Sequence, residues 1–219
     1  MCRAIGSVLS QEGIGEQFDI VVLVIDDGST DETPNVVRRY PGLHYIRRPE
    51  NHGTLAARNA GLKEAKDRYV GFLDDDIWLP WKRRRQVQIL EARPEIGVVY
   101  GQEIKRSTQD VFVWPGDREA PSGWIVRSLL SNRPVNTSSV LIRQSAIERI
   151  GPFDESLRCG EDYDFWLQLA CTEQFQFLPG PAVIYQISSS GRFLSSVVSG
   201  ETLTRGLSAT QLPVSAVFR

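Results

Sequence analysis

The chain has 219 residues, enough for one large domain with a sizeable core. Hydrophobic residues make up 41% and charged residues 24%, and the formal net charge of -2 argues against a protein that mainly covers nucleic-acid phosphates. The three cysteines are too scattered for a disulfide framework or a spaced zinc site, which indicates a reducing compartment.

The sequence shows no membrane-spanning or secretory pattern. Its longest uninterrupted apolar run, residues 20–25, is far shorter than the roughly 20 residues of a membrane helix. The first ten residues lack the apolar length of a secretory signal. We therefore predict a cytoplasmic protein without a transmembrane segment, and peripheral association with a membrane surface stays open.

Helices and strands alternate in the first part of the chain. Apolar spacing predicts a helix over residues 3–11, and a continuous β-branched run predicts a buried strand over 19–25. Pro34 belongs in the first turn of the next helix, so Asp26 and Asp27 stay at the strand end. A short strand over 43–47 follows.

The next predicted elements surround an acidic run. A helix over residues 54–66 precedes the apolar strand 69–73, which ends in Asp74-Asp75-Asp76. A helix over 81–93 and a strand over 96–100 come next. The basic cluster at 82–85 could face a phosphate-bearing partner, but solvated helix surface is the favoured interpretation.

The weakly patterned stretch 102–136 is expected to form variable surface loops, and five further elements and a tail follow it. The predictions are a strand over 138–143, a helix over 144–150, a loop entering a helix over 160–170, β-like runs at 175–178 and 182–187, and a weakly structured tail over 188–219.

Three adjacent carboxylates at one strand end call for a compensating charge. Mutual repulsion opposes ionising Asp74, Asp75 and Asp76 together, and a divalent cation with oxygen ligands would offset it. The alternative is a strand followed by an acidic turn, with Asp76 capping the next helix.

The spacing of the acids also predicts the fold class. The pair Asp26-Asp27 and the run 74–76 each end a strand, and helical crossovers separate the two strands. This is the parallel α/β arrangement, in which ligands bind at the carboxyl edge of the sheet. A third acidic group, Glu161-Asp162, starts a predicted helix, where simple helix capping is the alternative to catalysis.

The motifs together resemble the family 2 glycosyltransferases of the GT-A fold. The resemblance covers roughly residues 3–185 and implies a Rossmann-like, mixed but mainly parallel sheet flanked by helices, with a domain over 1–187. It rests on a set of motifs in one order: Val-Ile-Asp26-Asp27-Gly28-Ser29-Thr30-Asp31, Asn51-His-Gly53, Ala57-Arg58-Asn59, Phe72-Leu-Asp74-Asp75-Asp76, Asn136 and Gly160-Glu161-Asp162-Tyr-Asp.

The resemblance implies transfer of a sugar from a nucleoside diphosphate sugar, with inversion and with Mn²⁺ or Mg²⁺ as cofactor. The acceptor would be a glycan, a lipid-linked molecule or a protein, in cell-envelope polysaccharide synthesis. By similarity, Asp26 and Asp27 would contact the base and ribose, and Arg58 would hold the base or diphosphate. Asp74 and Asp75 would also contact the nucleotide sugar, and the metal would bind Asp76 or Asp75, with Asp76 favoured. Asp162 would be the catalytic base, with Glu161 beside it in the catalytic pair.

The chain departs from the family pattern at its start. Family members begin with a strand and a loop over the nucleotide base, whereas this sequence begins with the helix that would follow them. We therefore expect a sheet short of one element and an exposed apolar edge. A noncatalytic module that binds a nucleotide sugar or a partner remains the alternative function, and the absence of a glycine-rich phosphate loop argues against a nucleotidyltransferase.

Overall fold

The computed structural model describes residues 1–106, 111–114, 120–132, 134–157, 160–186 and 214–218. Its helices are α1 (Cys2–Leu9), α2 (Thr33–Val37), α3 (Thr54–Glu64), α4 (Lys82–Ala92), α5 (Val126–Ser131), α6 (Gln144–Ile150) and α7 (Glu161–Thr172). Its strands are β1 (Ile20–Asp27), β2 (His44–Arg48), β3 (Tyr69–Leu73), β4 (Ile77–Trp78), β5 (Ile96–Arg106), β6 (Val111–Trp114), β7 (Leu141–Arg143), β8 (Gln174–Gln186) and β9 (Val214–Phe218).

The described strands form one mixed sheet with the order β2-β1-β9-β3-β7-β5-β8-β4, and β6 pairs with β5. Strands β1, β2, β3, β5 and β8 run in one direction, and the other four run against them. Helices cover both faces of the sheet. Alternate residues of β1 accordingly belong to two separate apolar clusters, one on each side. The predicted mixed α/β architecture is confirmed.

Several boundaries differ from the predicted ones. Strand β1 continues through Asp27, so both of its acids belong to the strand. The two β-like runs near the end of the described core form the single strand β8, which passes through Gly180 at φ 88°. Strand β6 was not predicted, because all four of its residues are exposed and no buried face imposes a pattern.

Residues 214–218 of the predicted tail form β9 in the middle of the sheet. The strand pairs antiparallel with β1 on one side and with β3 on the other. The facing edges of β1 and β3 are therefore both paired, and neither is an exposed edge. Residues 187–213 of the tail lie outside the described residues, and the predicted division at residue 187 stays a prediction.

The interpretation of the basic cluster as solvated surface is wrong for its first two residues. Lys82 and Arg83 are fully buried, and their cationic groups lie over the Trp78 ring at 4.5 and 3.5 Å from its centroid. Gln86 Oε1 accepts hydrogen bonds from both, at 3.1 and 3.0 Å, and Val140 O accepts from Arg83 Nη1 at 2.8 Å. Burial lowers the pKa of Lys82 well below its usual value.

We expect Gln86→Leu to lower the free energy of unfolding by roughly 2–5 kcal/mol, measured by urea denaturation. The Gln86 side chain is fully buried and also donates to Val99 O and Ser139 O, so the substitution removes one hydrogen bond from each of these carbonyls and from each of the two buried cations of α4. Gln88→Leu on the exposed side of α4 is the control. Equal stability of the two variants would contradict this role of Gln86.

Candidate active site

The two acidic nodes of the first half of the chain meet at one edge of the sheet. Val24 of β1 and Leu73 of β3 are both opposite Val214 of β9, and β1 and β3 run in the same direction. Asp26 and Asp74 therefore follow at the same carboxyl edge, on strands two spacings or about 10 Å apart. The parallel course of β1 and β3 thus brings together two acidic groups that are almost fifty residues apart in the sequence.

Asp26 and Asp27 organise the loops around this edge. Asp26 is fully buried, and its carboxylate accepts hydrogen bonds from Ser29 N at 2.8 Å and from the Tyr45 hydroxyl. Asp27 Oδ2 accepts from the His52 and Gly53 amides at 2.9 and 2.7 Å. Both acids hold backbone turns in place, and their predicted contacts with base and ribose stay predictions.

Arginines accompany these acids at the same edge. Arg48 Nη1 lies 3.0 Å from Asp27 Oδ1 and its side chain is 24% exposed, so a ligand can reach it. Arg58 is almost completely buried, with Nη2 3.1 Å from Asp74 Oδ2 and its guanidinium 5.7 Å from the Phe153 ring centroid. The structure therefore fixes Arg58 against the acidic run and leaves Arg48 as the more accessible cation.

The turn after β1 depends on Gly28. Its φ of 78° lies in the left-handed region, and a Cβ there would approach Asn51 N and Glu50 C at 2.8 Å. The loop that donates amides to Asp27 thus passes directly over this glycine.

We expect Gly28→Ala to destabilise the protein by about 1–3 kcal/mol or more, because backbone strain and overlap with the Glu50–Asn51 backbone add. Gly42→Ala is the matched control, since Gly42 has φ 91° but open space around its Cβ position. Chemical denaturation of both variants separates the two costs. If both alanines cost the same, close approach of the loop would not be the reason for glycine at position 28.

Asp76 does not cap a helix. The next helix, α4, has Trp81 at its N-cap, whereas Asp76 Oδ2 accepts a hydrogen bond from Ser138 Oγ at 2.5 Å. Asp76 is 2% exposed, and its Oδ1 is buried without a hydrogen-bond partner. Burial, with the charges of Asp74, Asp75 and Glu103, raises the pKa of Asp76 to about 8 despite the Ser138 bond.

The donor set at the strand end fits a divalent cation. The orphaned Asp76 oxygen is the type of ligand that Mg²⁺ and Mn²⁺ take, whereas Asp75 is exposed. Among the described residues, no three His, Cys, Asp or Glu side chains form a complete metal cage. A cation here would therefore need further ligands from substrate or water.

The third acidic node lies at the start of α7. Gly160, at φ 70°, precedes the helix, and no side chain caps it. Asp162 is partly exposed, and its Oδ1 accepts from Tyr163 N at 2.8 Å. The Glu161 side chain lies outside the described part of the chain.

An aromatic cluster attaches α7 to the acidic edge. Phe153 stacks on Phe165 of α7 with a centroid distance of 3.9 Å and meets the edge of Phe72 in β3 at 5.6 Å. Phe72 lies two residues before Asp74, and Arg58 covers Phe153. Packing on Phe153 thus links the start of α7 to the acidic run 74–76 and to Arg58.

Several polar residues of this region carried no signal in the sequence. Their importance comes only from contacts between distant segments, and none belongs to a local acidic pattern. They are Tyr45, Arg48, Glu103, Ser138 and Tyr185, of which Tyr45 donates a hydrogen bond to Asp26.

Comparisons with known proteins match this architecture. The family model described as "Glycosyl transferase family 2" matches residues 1–150. The chain therefore belongs to glycosyl transferase family 2.

Relatives in three bacteria illustrate this membership. An uncharacterised glycosyltransferase of Rickettsia prowazekii (strain Madrid E) is 30% identical over 174 residues, covering 77% of this chain and 54% of the relative. The Escherichia coli UDP-Glc:alpha-D-GlcNAc-diphosphoundecaprenol beta-1,3-glucosyltransferase WfaP is 28% identical, with 69% and 59% covered. Succinoglycan biosynthesis protein ExoO of Rhizobium meliloti (strain 1021) is 30% identical, with 84% and 56% covered. The chain thus spans about half the length of these relatives.

Solved structures support the fold. TarS of S. aureus superimposes with a TM-score of 0.65 at 19% identity, covering 85% of this chain and 34% of TarS. The mannosyltransferase PcManGT from Pyrobaculum calidifontis, solved with GDP-Man and Mn²⁺, gives 0.62 at 19% identity, with 85% and 53% covered. The fold class predicted from the sequence is confirmed. Within the described ranges, no helix has the length and apolar character needed to cross a bilayer.

Proposed function

We propose that this chain transfers a sugar from a nucleoside diphosphate sugar to an acceptor hydroxyl, with inversion at the anomeric carbon and with Mn²⁺ or Mg²⁺. The observation that carries the proposal is the buried, unpartnered Oδ1 of Asp76 at the edge where both strand-end acidic nodes meet. A carboxylate oxygen kept dry without a partner costs free energy, and a bound cation would recover it.

The donor would lie along the carboxyl edge of β1 and β3. Asp74 would contact the ribose. Asp26 and Asp27, with the loops they hold, would form the part of the site that binds the base and ribose. Arg58 and Arg48 would face the diphosphate. Asp76, and Asp75 from the solvent side, would hold the cation. When bound, the cation supplies positive charge that stabilises the departing diphosphate.

Asp162 would be the general base. Its carboxylate takes the proton of the incoming acceptor hydroxyl as that oxygen attacks the anomeric carbon. Attack opposite the diphosphate in a single displacement inverts the configuration. The start of α7 leaves the Asp162 carboxylate partly exposed, where an acceptor can reach it, and Glu161 adds a second acid beside it.

The names of three similar proteins support a proposal for the class of donor and acceptor. WfaP is named for a diphosphoundecaprenol-linked acceptor, ExoO for succinoglycan biosynthesis, and PcManGT was solved with GDP-Man and Mn²⁺. By analogy, we propose a glycan or lipid-linked acceptor in cell-envelope polysaccharide synthesis, with a protein acceptor as the less favoured class. The site of action would be the cytoplasm, at the inner face of the membrane.

Calorimetric titration of the purified chain with UDP, GDP and dTDP, each with and without Mn²⁺, tests the proposal. We expect one nucleotide to bind only with Mn²⁺ and Asp74→Asn to weaken that binding. Asp19→Asn is the charge-matched control, because Asp19 is exposed near the opposite end of β1. Absence of nucleotide binding by the folded chain would refute the proposal, and binding without turnover of any donor would indicate the noncatalytic alternative.

A further inference from the structure

Glu103 is a second buried carboxylate near the acidic run. It lies on β5, is 2% exposed, and its Oε1 is 3.2 Å from Lys105 Nζ. Its Oε2 is buried and has no hydrogen-bond partner. Desolvating an ionised carboxylate is costly unless each oxygen finds a donor or a cation, so one Lys105 contact leaves the group incompletely compensated.

The strand register places Glu103 on the same face of the sheet as Asp76. Trp78 of β4 and Glu103 of β5 are both opposite Val183 of the intervening strand β8, and all three are buried. Strand β4 begins at Ile77, and extending its alternation by one residue places Asp76, two residues before Trp78, on this face beside Tyr185. The two carboxylates thus occupy adjacent rows across three neighbouring strands.

The electrostatics agree with this proximity. The charge of Glu103 is among the causes that raise the pKa of Asp76. Burial, followed by the charges of Asp76 and Glu103, raises the pKa of Tyr185 to about 12. The charge of Glu103 thus acts on Asp76, and the charges of both carboxylates act on the Tyr185 hydroxyl.

Asp76 and Glu103 share one pattern of partners. Each has one oxygen satisfied, by Ser138 Oγ for Asp76 and by Lys105 for Glu103, and each has one buried oxygen without a hydrogen bond. When both carboxylates are ionised, the Lys105 ammonium offsets only one of the two negative charges, so a bound divalent cation would favour the ionised forms. Mg²⁺-type sites commonly use one or two protein carboxylates together with substrate phosphates and water.

We propose that Glu103 is the second protein ligand of the divalent cation held by Asp76, and that it binds the cation through Oε2 while Lys105 holds Oε1. This inference rests on the proposed function, because it assumes a cation at Asp76. It adds a ligand from β5, about thirty residues beyond the acidic run, that no local motif marks.

Binding of Mn²⁺ alone to the full chain, followed by the electron paramagnetic resonance signal of free Mn²⁺, tests this assignment. We expect Glu103→Gln to weaken Mn²⁺ binding about tenfold or more, because the amide is a neutral, poorer ligand. Glu95→Gln removes one charge from an exposed loop and should leave Mn²⁺ affinity unchanged. Circular dichroism and thermal melting check that each variant is folded.

A soft ligand distinguishes direct binding from a general charge effect. Glu103→Cys should raise the ratio of Cd²⁺ to Mn²⁺ affinity at least about tenfold over the wild-type chain, since thiolate prefers the softer ion. An unchanged ratio would mean that the side chain at position 103 does not touch the cation, and would overturn the inference.

Asp76→Asn separates failure of the inference from failure of the proposed function. If Asp76→Asn weakens Mn²⁺ binding and Glu103→Gln does not, Glu103 is no ligand but the Asp76 site stands. If neither substitution changes Mn²⁺ binding, both the inference and the metal-dependent function are wrong. Weakening by both, with the Cd²⁺ response at position 103, supports the two-carboxylate site.

Discussion

Asp162→Asn is expected to lower the rate of sugar transfer roughly 10²–10⁴-fold, the contribution typical of a general base. The amide keeps the size and the hydrogen bond from Tyr163 N but cannot accept the acceptor proton at neutral pH. Because the proposed donor site lies on β1 and β3, affinity for the nucleotide should be unchanged. Steady-state kinetics and nucleotide titration measure the two quantities.

Asp164→Asn is the matched control for this prediction. Asp164 lies in the same turn of α7, but its carboxylate accepts from Gln168 Nε2 at 2.6 Å, so it is occupied within the helix. Transfer by this variant should stay within a few-fold of wild type. Wild-type transfer by folded Asp162→Asn would disprove the assignment of the base.

Asp76→Asn is expected to reduce transfer by at least about 100-fold, because a metal contributes several kcal/mol of charge stabilisation in the transition state. The metal-dependent part of nucleotide binding should disappear with it. The substitution preserves the volume at a buried position and removes a carboxylate that is costly to ionise there. Stability of the metal-free chain should therefore not fall.

Transfer assays over a range of Mn²⁺ concentrations, with thermal melting of each variant, test this prediction. The exposed Asp75 provides an internal comparison, and Asp75→Asn should have the smaller effect if Asp76 is the principal ligand. A larger loss for Asp75→Asn would reverse the two assignments. Exposed Asp19→Asn should match wild type in every readout.

The sequence predicted the class of fold because its strongest signals are local. The β-branched run before Asp26 and the apolar run before Asp74 both form buried strands, and the crossovers between them are helical. Hydrophobic periodicity reports burial directly, so both strands were predicted, β3 with the observed bounds and β1 with ends that differ by one and two residues. Gly160 and the acids after it likewise mark the start of α7.

The sequence did not predict which charged side chains are buried. Lys82 and Arg83 resemble solvated helix surface, yet both are enclosed by Trp78, Gln86 and Val140 O. Local spacing cannot reveal this, because the partners come from two other segments. Glu103 was missed because the strand was predicted to end at residue 100, whereas β5 continues through Arg106 and buries this acid.

By itself, the sequence determined the alternation of helices and strands, the acidic ends of β1 and β3, and membership of the fold class. Only the tertiary structure decided that β9 lies between those two strands, that Asp76 rather than Asp75 is buried, and that Glu103 shares its face. The physical reason is the range of each effect. Periodicity and capping act within a few residues, whereas strand order and desolvation depend on segments that meet only in the folded chain.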